Sequence, residues 1–364
     1  MRLKLFTPGH GPFMDSLIMY GLVSALPPDV KCYVSGTAGS FEIEIEGRDV
    51  NDVAKSIASD IELRKESVME QLLGQLKLIQ KGSQKRFESY LNSYANPDVV
   101  AKNLEEAYMF PGHAQREGRG QRGQHVWLPL YPHVGKYFTE EYRYVASNYG
   151  VCPLCITLAA LGFYKAAIPI RYMPPKNASR IILLSFEGGA SGELLANMLT
   201  YVRGEEFVRA ITRLRSALDQ LPLSTFTYVV LAQLSGDVIR YLYGSEAVWV
   251  ALSTVFDVVK GQVVQIRGYE NVYIDRYISS LVHLMRVDER LDEEHRLHPL
   301  HKLRTITVDL VNRGEAAAIE ALYRFLNTRS SLDLYVAVRQ VVKALKGGFG
   351  KGFCEELACL TQLA

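Results

Sequence analysis

Apolar positions near the start of the chain recur first at strand spacing, then at helical spacing, then at strand spacing again. Residues 3–6 predict a strand, which Thr7-Pro-Gly-His-Gly-Pro12 breaks. Asp15 suits the start of a helix carrying Met19, Leu22 and Leu26, and Pro27-Pro28 ends it. Residues 31–35 and 41–46 predict two strands around a glycine-rich turn. In the second, Phe41, Ile43 and Ile45 alternate with Glu42, Glu44 and Glu46, the period of a half-buried strand. From 49 to 92 Ile57, Ile61, Val68, Leu72, Leu76 and Ile79 fall at helical intervals, with an interruption at Gly82-Ser83, and a second helix is expected over 97–108.

Residues 109–124 have no apolar periodicity and four glycines, which predicts a loop. A helix follows Cys155 to about Lys165, and the β-rich run 179–186 completes an N-terminal sheet. From Ser191 the character changes to amphipathic helices. Phe207, Ile211, Leu214, Leu218 and Leu221, spaced by three and four, form a seam for packing on other helices. Further helices are predicted at 226–243, 245–260, 275–298, 303–312, 315–327 and 331–346, with a short hairpin around 267–271. No repeat of fixed period is present. The expected fold class is α+β: an N-terminal mixed α/β domain over 1–188, carrying a basic Gly/Arg loop at 111–125, and a mainly helical bundle domain over 189–364.

Composition narrows the function classes. A chain of 364 residues with 48% hydrophobic content can bury a large core without disulfides or metals. Its 41 basic and 39 acidic side chains leave a formal charge of +2, so only local patches can argue for a charged partner. Five cysteines and a start without a long apolar stretch fit a reducing, cytoplasmic setting. The uncharged stretch 144–164 is long enough to span a bilayer, but Ser147, Asn148, Gly150, Pro153 and Thr157 within it favour a buried core helix, and no membrane partner is expected.

Three stretches are basic. Arg116, Arg119, Arg122 and Lys136 face Glu117 alone, among glycines that let the backbone follow a phosphate chain, with Trp127 and Tyr131 placed where bases could stack. Lys165, Arg171, Lys176 and Arg180 lie in a second stretch without acids. Arg339, Lys343, Lys346 and Lys351 lie in a third, the first three on one helix face. Arg209 and Arg213 share the helix face opposite the leucine seam. Each patch alone is also what a solvated surface looks like; converging in space they would form a groove for a charged strand.

Other constellations carry less. Cys152-Pro-Leu-Cys155 has metal-ligand spacing but no second CxxC. A zinc site would need histidines such as His125 and His133, or distant partners, and core or helix-start cysteines are the simpler expectation. His295, His298 and His301 would suit a metal-dependent nuclease or hydrolase, yet Pro299 interrupts a continuous helix there. Gly188-Gly-Ala-Ser-Gly192 lacks the G-x-S-x-G spacing of a nucleophile elbow, and Ser191 suits a helix cap. Neither a phosphate-binding loop nor a dinucleotide fingerprint is present, so no cofactor and no catalytic residue are assigned.

Three features together resemble one family: the opening strand and Pro-Gly corner followed by Asp15-Ser-Leu-Ile-Met-Tyr-Gly-Leu22, the segment Tyr149-Gly-Val-Cys-Pro-Leu-Cys-Ile-Thr-Leu-Ala-Ala-Leu-Gly162, and the helical back half. The chain is similar to the large subunit of archaeal type I-A CRISPR (Cascade-type) interference complexes. That resemblance implies a non-catalytic subunit of a crRNA-guided surveillance complex. Such a subunit helps recognise the DNA flanking the target, holds the displaced strand and helps engage the helicase–nuclease. Its implied partners are the backbone, crRNA-end-binding and small subunits, crRNA and target DNA. No family motif carries a DNA-reading residue onto a position here, so the nucleic-acid candidates Arg116, Arg119, Arg122, Lys136, Arg209, Arg213, Lys343, Lys346 and Lys351 rest on charge alone. A scaffold that only docks proteins is the remaining alternative.

Overall fold

The alternation at the N-terminus becomes a three-stranded antiparallel arrangement. In a computed structural model, strands β1 (Arg2–Phe6), β2 (Cys32–Thr37) and β3 (Ser40–Glu46) pair antiparallel, β3 lying between the other two. The structure describes residues 2–37, 39–76, 78–79, 83–114, 130, 151–172, 178–259, 263–290, 299–345 and 357. Helix α1 spans Pro12–Val23 and is followed, after β2 and β3, by α2 (Val50–Met69), a wide helical turn (Glu70–Gln75), α3 (Gln84–Tyr94) and α4 (Pro97–Ala107). Helix α5 (Pro153–Ala166), β4 (Ile168–Arg171) and β5 (Ala178–Ser191) complete this half of the chain. The strands order as β1-β3-β2-β5-β6-β7, with β4 on β5. Long β5 pairs with β4 over residues 179–182 and with β2 over 188–191, both antiparallel.

The described residues form two compact units. The first comprises Met1–Arg171, Asn177–Thr200 and Thr254–Tyr269; the second comprises Tyr172–Lys176, Tyr201–Ser253 and Glu270–Ala364. In the first, α1 is buried from Phe13 to Val23 because its sequence is apolar on every face. One side lies on β5, where the Tyr20 hydroxyl donates to the Leu184 carbonyl at 2.7 Å and the Ser16 and Ser185 hydroxyls meet at 2.6 Å. The other side meets α5, which is equally apolar and buried along almost its whole length. Glycine sets how close the pair comes. A Cβ on Gly162 would sit 1.8 Å from the Leu17 carbonyl oxygen, and one on Gly21 would sit 2.2 Å from that of Leu158. The backbones themselves therefore touch, which only residues without a side chain permit. The expected buried helix in the 144–164 stretch is α5; among the described residues, no helix is long and apolar enough to cross a membrane.

The second unit is built from α6 (Gly192–Val202, its last turn here), α7 (Glu205–Arg213), a short 3-10 turn (Arg215–Asp219), α8 (Leu223–Leu231) and α9 (Gly236–Gly244). It continues with α10 (Asp275–Arg290), α11 (Pro299–Arg313), α12 (Ala316–Thr328) and α13 (Ser331–Ala344). Its core stacks Tyr228, Tyr277 and Tyr323. The two fully buried hydroxyls are paired, Tyr277 to the Tyr228 carbonyl at 2.9 Å and Tyr323 to Thr307 at 2.9 Å. Arg304 closes the end of α8, donating to the carbonyls of Ala232 and Leu234 at 2.7 and 2.6 Å. Pro299, expected to break the histidine run, begins α11, where a proline fits without losing a hydrogen bond.

Two expectations are corrected. Residues 245–260 are not a helix but contribute strand β6 (Val248–Val259), and 267–271 is not a hairpin but the middle of strand β7 (Val263–Tyr273). Residues 249–254 are buried in an unbroken run. A strand covered on both faces loses the two-residue alternation and looks like an apolar helix; only the abundance of Val betrays it. The α+β class holds, with two of the longest strands drawn from the half expected to be helical. Strand β4 was not anticipated.

Replacing Gly162 by Ala is expected to force α1 and α5 apart and cost about 3 kcal/mol, read as a lower denaturant midpoint. Gly244→Ala, where nothing lies within 4 Å, is the control and should leave the midpoint in place.

Candidate functional site

The corner after β1 is held by a carboxylate. Gly9 and Gly11 adopt left-handed φ values of 86° and 127°, which glycine tolerates. Asp15, one turn into α1, reaches back to accept their N–H groups at 2.8 and 2.6 Å. The sequence placed Asp15 as a helix start; its role is to stitch the turn that precedes the helix. Burial pushes its pKa up to about 6, against the pull of those N–H donors. Beside this corner, an open cleft of about 480 Å³ runs over Phe6, Tyr33, Gly36, Phe41, Gly188 and Gly189. Ser191 accepts the Leu194 N–H at 3.2 Å, the helix cap expected of it.

A second cluster forms where α4 ends and α5 begins. Cys152 is the N-cap of α5, its sulfur accepting the Cys155 N–H at 3.3 Å, and the two sulfurs lie 3.1 Å apart. The Tyr108 hydroxyl donates to the Cys155 sulfur at 3.1 Å. His113 completes the group: its ring nitrogen and the two sulfurs all lie within 4.8 Å of one another. Among the described residues this is the one group of three or more His, Cys, Asp and Glu side chains with metal-ligand geometry. The cysteines are at a helix start, as expected, but His113 was not foreseen, because nothing in a spacing of 39 residues marks it as their neighbour. Cys32 is not part of this group, and burial pushes its thiol up to about 11.

The basic candidates fare differently. Arg116, Arg119, Arg122, Lys136, Lys346 and Lys351 lie outside the described residues, as do His295 and His298. Arg209 is exposed on α7 and pairs with Glu205 one turn back at 2.7 Å, which reduces its value as a free cation. Arg213 shares that helix, and Arg339 and Lys343 are exposed on α13. His301 is exposed on α11 and belongs to no metal-ligand group among the described residues. In the stretch from Lys165 to Arg180, Arg171 is exposed and Lys176 lies outside the described residues, but the two end residues are interior. Lys165 is buried, its ammonium bonded to the Asp60 carboxylate and, at 2.9 Å, to the Ser24 carbonyl, and Arg180 is 4% exposed. Charges counted along a sequence carry no sign of the acids that fold against them.

The second unit holds a basic cleft that charge counting missed. About 360 Å³ in volume, it is lined by Tyr243, Asp275, Arg276 and Arg329, among others. Arg329 is 8% exposed and ends α12 in a left-handed conformation, φ 56°; it donates to Ser280 Oγ at 2.9 Å and to the Arg276 carbonyl at 3.1 Å. Burial, then the charge of Arg276, lowers its pKa. Arg286 lies over the Tyr243 ring, 5.6 Å from its centroid. Asp275 spends its carboxylate on the Trp249 N–H at 2.9 Å, and among the described residues no carboxylate forms an ion pair with Arg276 or Arg329. Guanidinium groups so placed beside an exposed aromatic ring suit a phosphate with a flat group attached.

The described residues thus form two units, each with an open cleft, and the first also holds the His113–Cys152–Cys155 group. Residues 4–347 match the family described as CRISPR-associated protein (Cas_Csa4), and the chain belongs to that family. It is also similar to the "CRISPR system associated protein Cas8" of Thermoproteus tenax, 25% identical over 191 residues, which cover 46% of this chain and 52% of that protein. The match thus spans about half the relative's length. Membership agrees with the resemblance to type I-A CRISPR large subunits.

Folding favours a proton on Asp15, because its folded pKa of about 6 exceeds its ordinary 3.8. Its contribution to stability is therefore full below about pH 4 and declines as pH rises through 6. Relative to Asp15→Asn, the wild type should lose up to about 3 kcal/mol of unfolding free energy between pH 4 and 7. Parallel pH profiles of the two proteins would contradict this.

Proposed function

We propose that the chain is a non-catalytic, nucleic-acid-binding large subunit of a crRNA-guided type I-A surveillance complex. In it, the chain helps recognise DNA flanking the target, holds the displaced strand and helps engage the helicase–nuclease. The match to the Cas_Csa4 family over residues 4–347 carries this reading. Two features support the nucleic-acid part. Arg116, Arg119 and Arg122 are interleaved with glycines in the sequence, and the second unit places Arg276, Arg329 and the Arg286–Tyr243 pair about one cleft. Near-neutral total charge implies weak binding by the isolated chain, with affinity gained through the other subunits, so the functional test belongs in the assembled complex.

Complexes carrying Arg116→Ala/Arg119→Ala/Arg122→Ala, or Arg276→Ala/Arg286→Ala, are expected to bind target DNA more weakly. The slope of log affinity against log salt should flatten by about one for every phosphate that the variant no longer neutralises. Arg2→Ala, which breaks only an exposed pair with Glu46, should change neither. An unaltered slope in both multiple variants, with the complex intact, would leave a protein-docking scaffold as the better account.

A further inference from the structure

We propose that His113, Cys152 and Cys155 bind one zinc ion, which ties the end of the α4 segment to the first turn of α5. The argument is independent of nucleic-acid binding. Two thiols and an imidazole form a soft donor set that selects zinc over magnesium or calcium. Tetrahedral zinc with bonds of about 2.0–2.3 Å places its donors about 3.7 Å apart. The sulfur–sulfur distance of 3.1 Å and the 4.8 Å limit on the whole group bracket that spacing, so an ion fits with small side-chain shifts.

The surroundings suit thiolates. The Cys155 N–H points at the Cys152 sulfur, and the Tyr108 hydroxyl points at the Cys155 sulfur, each a donor that stabilises negative charge on its acceptor. The N-terminus of α5 adds its positive end. On binding, each thiol releases its proton to solvent, and two thiolates balance the two positive charges of zinc, so a partly buried site becomes neutral. With three ligands among the described residues, the fourth position falls to water or to a donor outside them. The group contains no carboxylate, and the role assigned to the ion is the structural one of joining the two segments.

The tie has a mechanical consequence. Residues 108–114 are already fastened to the opening strand and its corner, through Phe6 N–H to the Tyr108 carbonyl at 2.8 Å and Ala114 N–H to the Pro8 carbonyl at 2.9 Å. Zinc would fasten the same strip to α5, the helix packed on α1. It would also close, at its base, the segment between His113 and Cys152 that carries Arg116, Arg119, Arg122 and Lys136. Closing a loop of that length limits the unfolded chain and so adds stability.

The test uses the full-length chain, purified without chelator and with any affinity tag removed. Elemental analysis is expected to find one zinc per chain, falling to background in Cys155→Ser and His113→Asn and unchanged in Cys32→Ser. Because misfolding would also empty the first two variants, cobalt exchanged into the wild type provides the second measurement: a thiolate-to-cobalt charge-transfer band together with the intense ligand-field bands of a tetrahedral site. Wild-type protein that holds no zinc, or has its Cys152 and Cys155 joined as a disulfide, overturns the proposal. So does zinc that survives in Cys155→Ser, or a cobalt form without the sulfur band.

Discussion

Backbone contact between α1 and α5 is the constraint on which the first unit depends. Helix pairs ordinarily keep their axes 8–10 Å apart because side chains stand between them. Here Gly21 and Gly162 remove the side chains where the helices cross, and each helix meets the other's carbonyl groups directly. The contact buries two helices that are apolar all round, and α1 is covered on its far side by β5. Such close packing gives many weak dispersion contacts per residue and leaves little freedom to repack.

Both unusual features of this unit are anchored on that pair. Asp15 projects from the first turns of α1 and holds the Gly9–Gly11 corner, while Cys152 and Cys155 open α5 and meet His113. The buried Lys165, near the end of α5, joins Asp60 of α2, so the third helix is fixed by charge where the first two are fixed by shape. A buried ion pair of this kind adds little net stability over an apolar pair, but it punishes the loss of either partner and so favours one arrangement of α2 on α5. The second unit uses a different device, a tyrosine stack whose hydroxyls are satisfied by backbone and threonine oxygens.

Where the sequence misled, local pattern and tertiary environment disagreed. Strand β6 looked helical because both its faces are covered over residues 249–254, and alternation exists only when one face is wet. Lys165 and Arg180 looked like surface cations because burial is decided by elements remote along the chain; Asp60 is 105 residues from Lys165. The cleft around Arg276 and Arg329 escaped notice because these two arginines lie 53 residues apart along the chain and only folding brings them together. By contrast, strands β1, β2 and β3 and several helix boundaries followed from periodicity and from proline and glycine, because those signals act over a few residues.

The sequence by itself therefore determined the α+β class, the order of the N-terminal elements, the buried character of α5 and the likeness to CRISPR large subunits, all of which rest on local periodicity or on short contiguous motifs. Tertiary structure alone decided that Gly21 meets Gly162's helix, that Lys165 is an interior ion, and that His113 joins two cysteines, the nearer 39 residues away. Those facts are distances between residues remote along the chain. No spacing rule contains them, since they arise only when the entropy of closing long loops is repaid by packing.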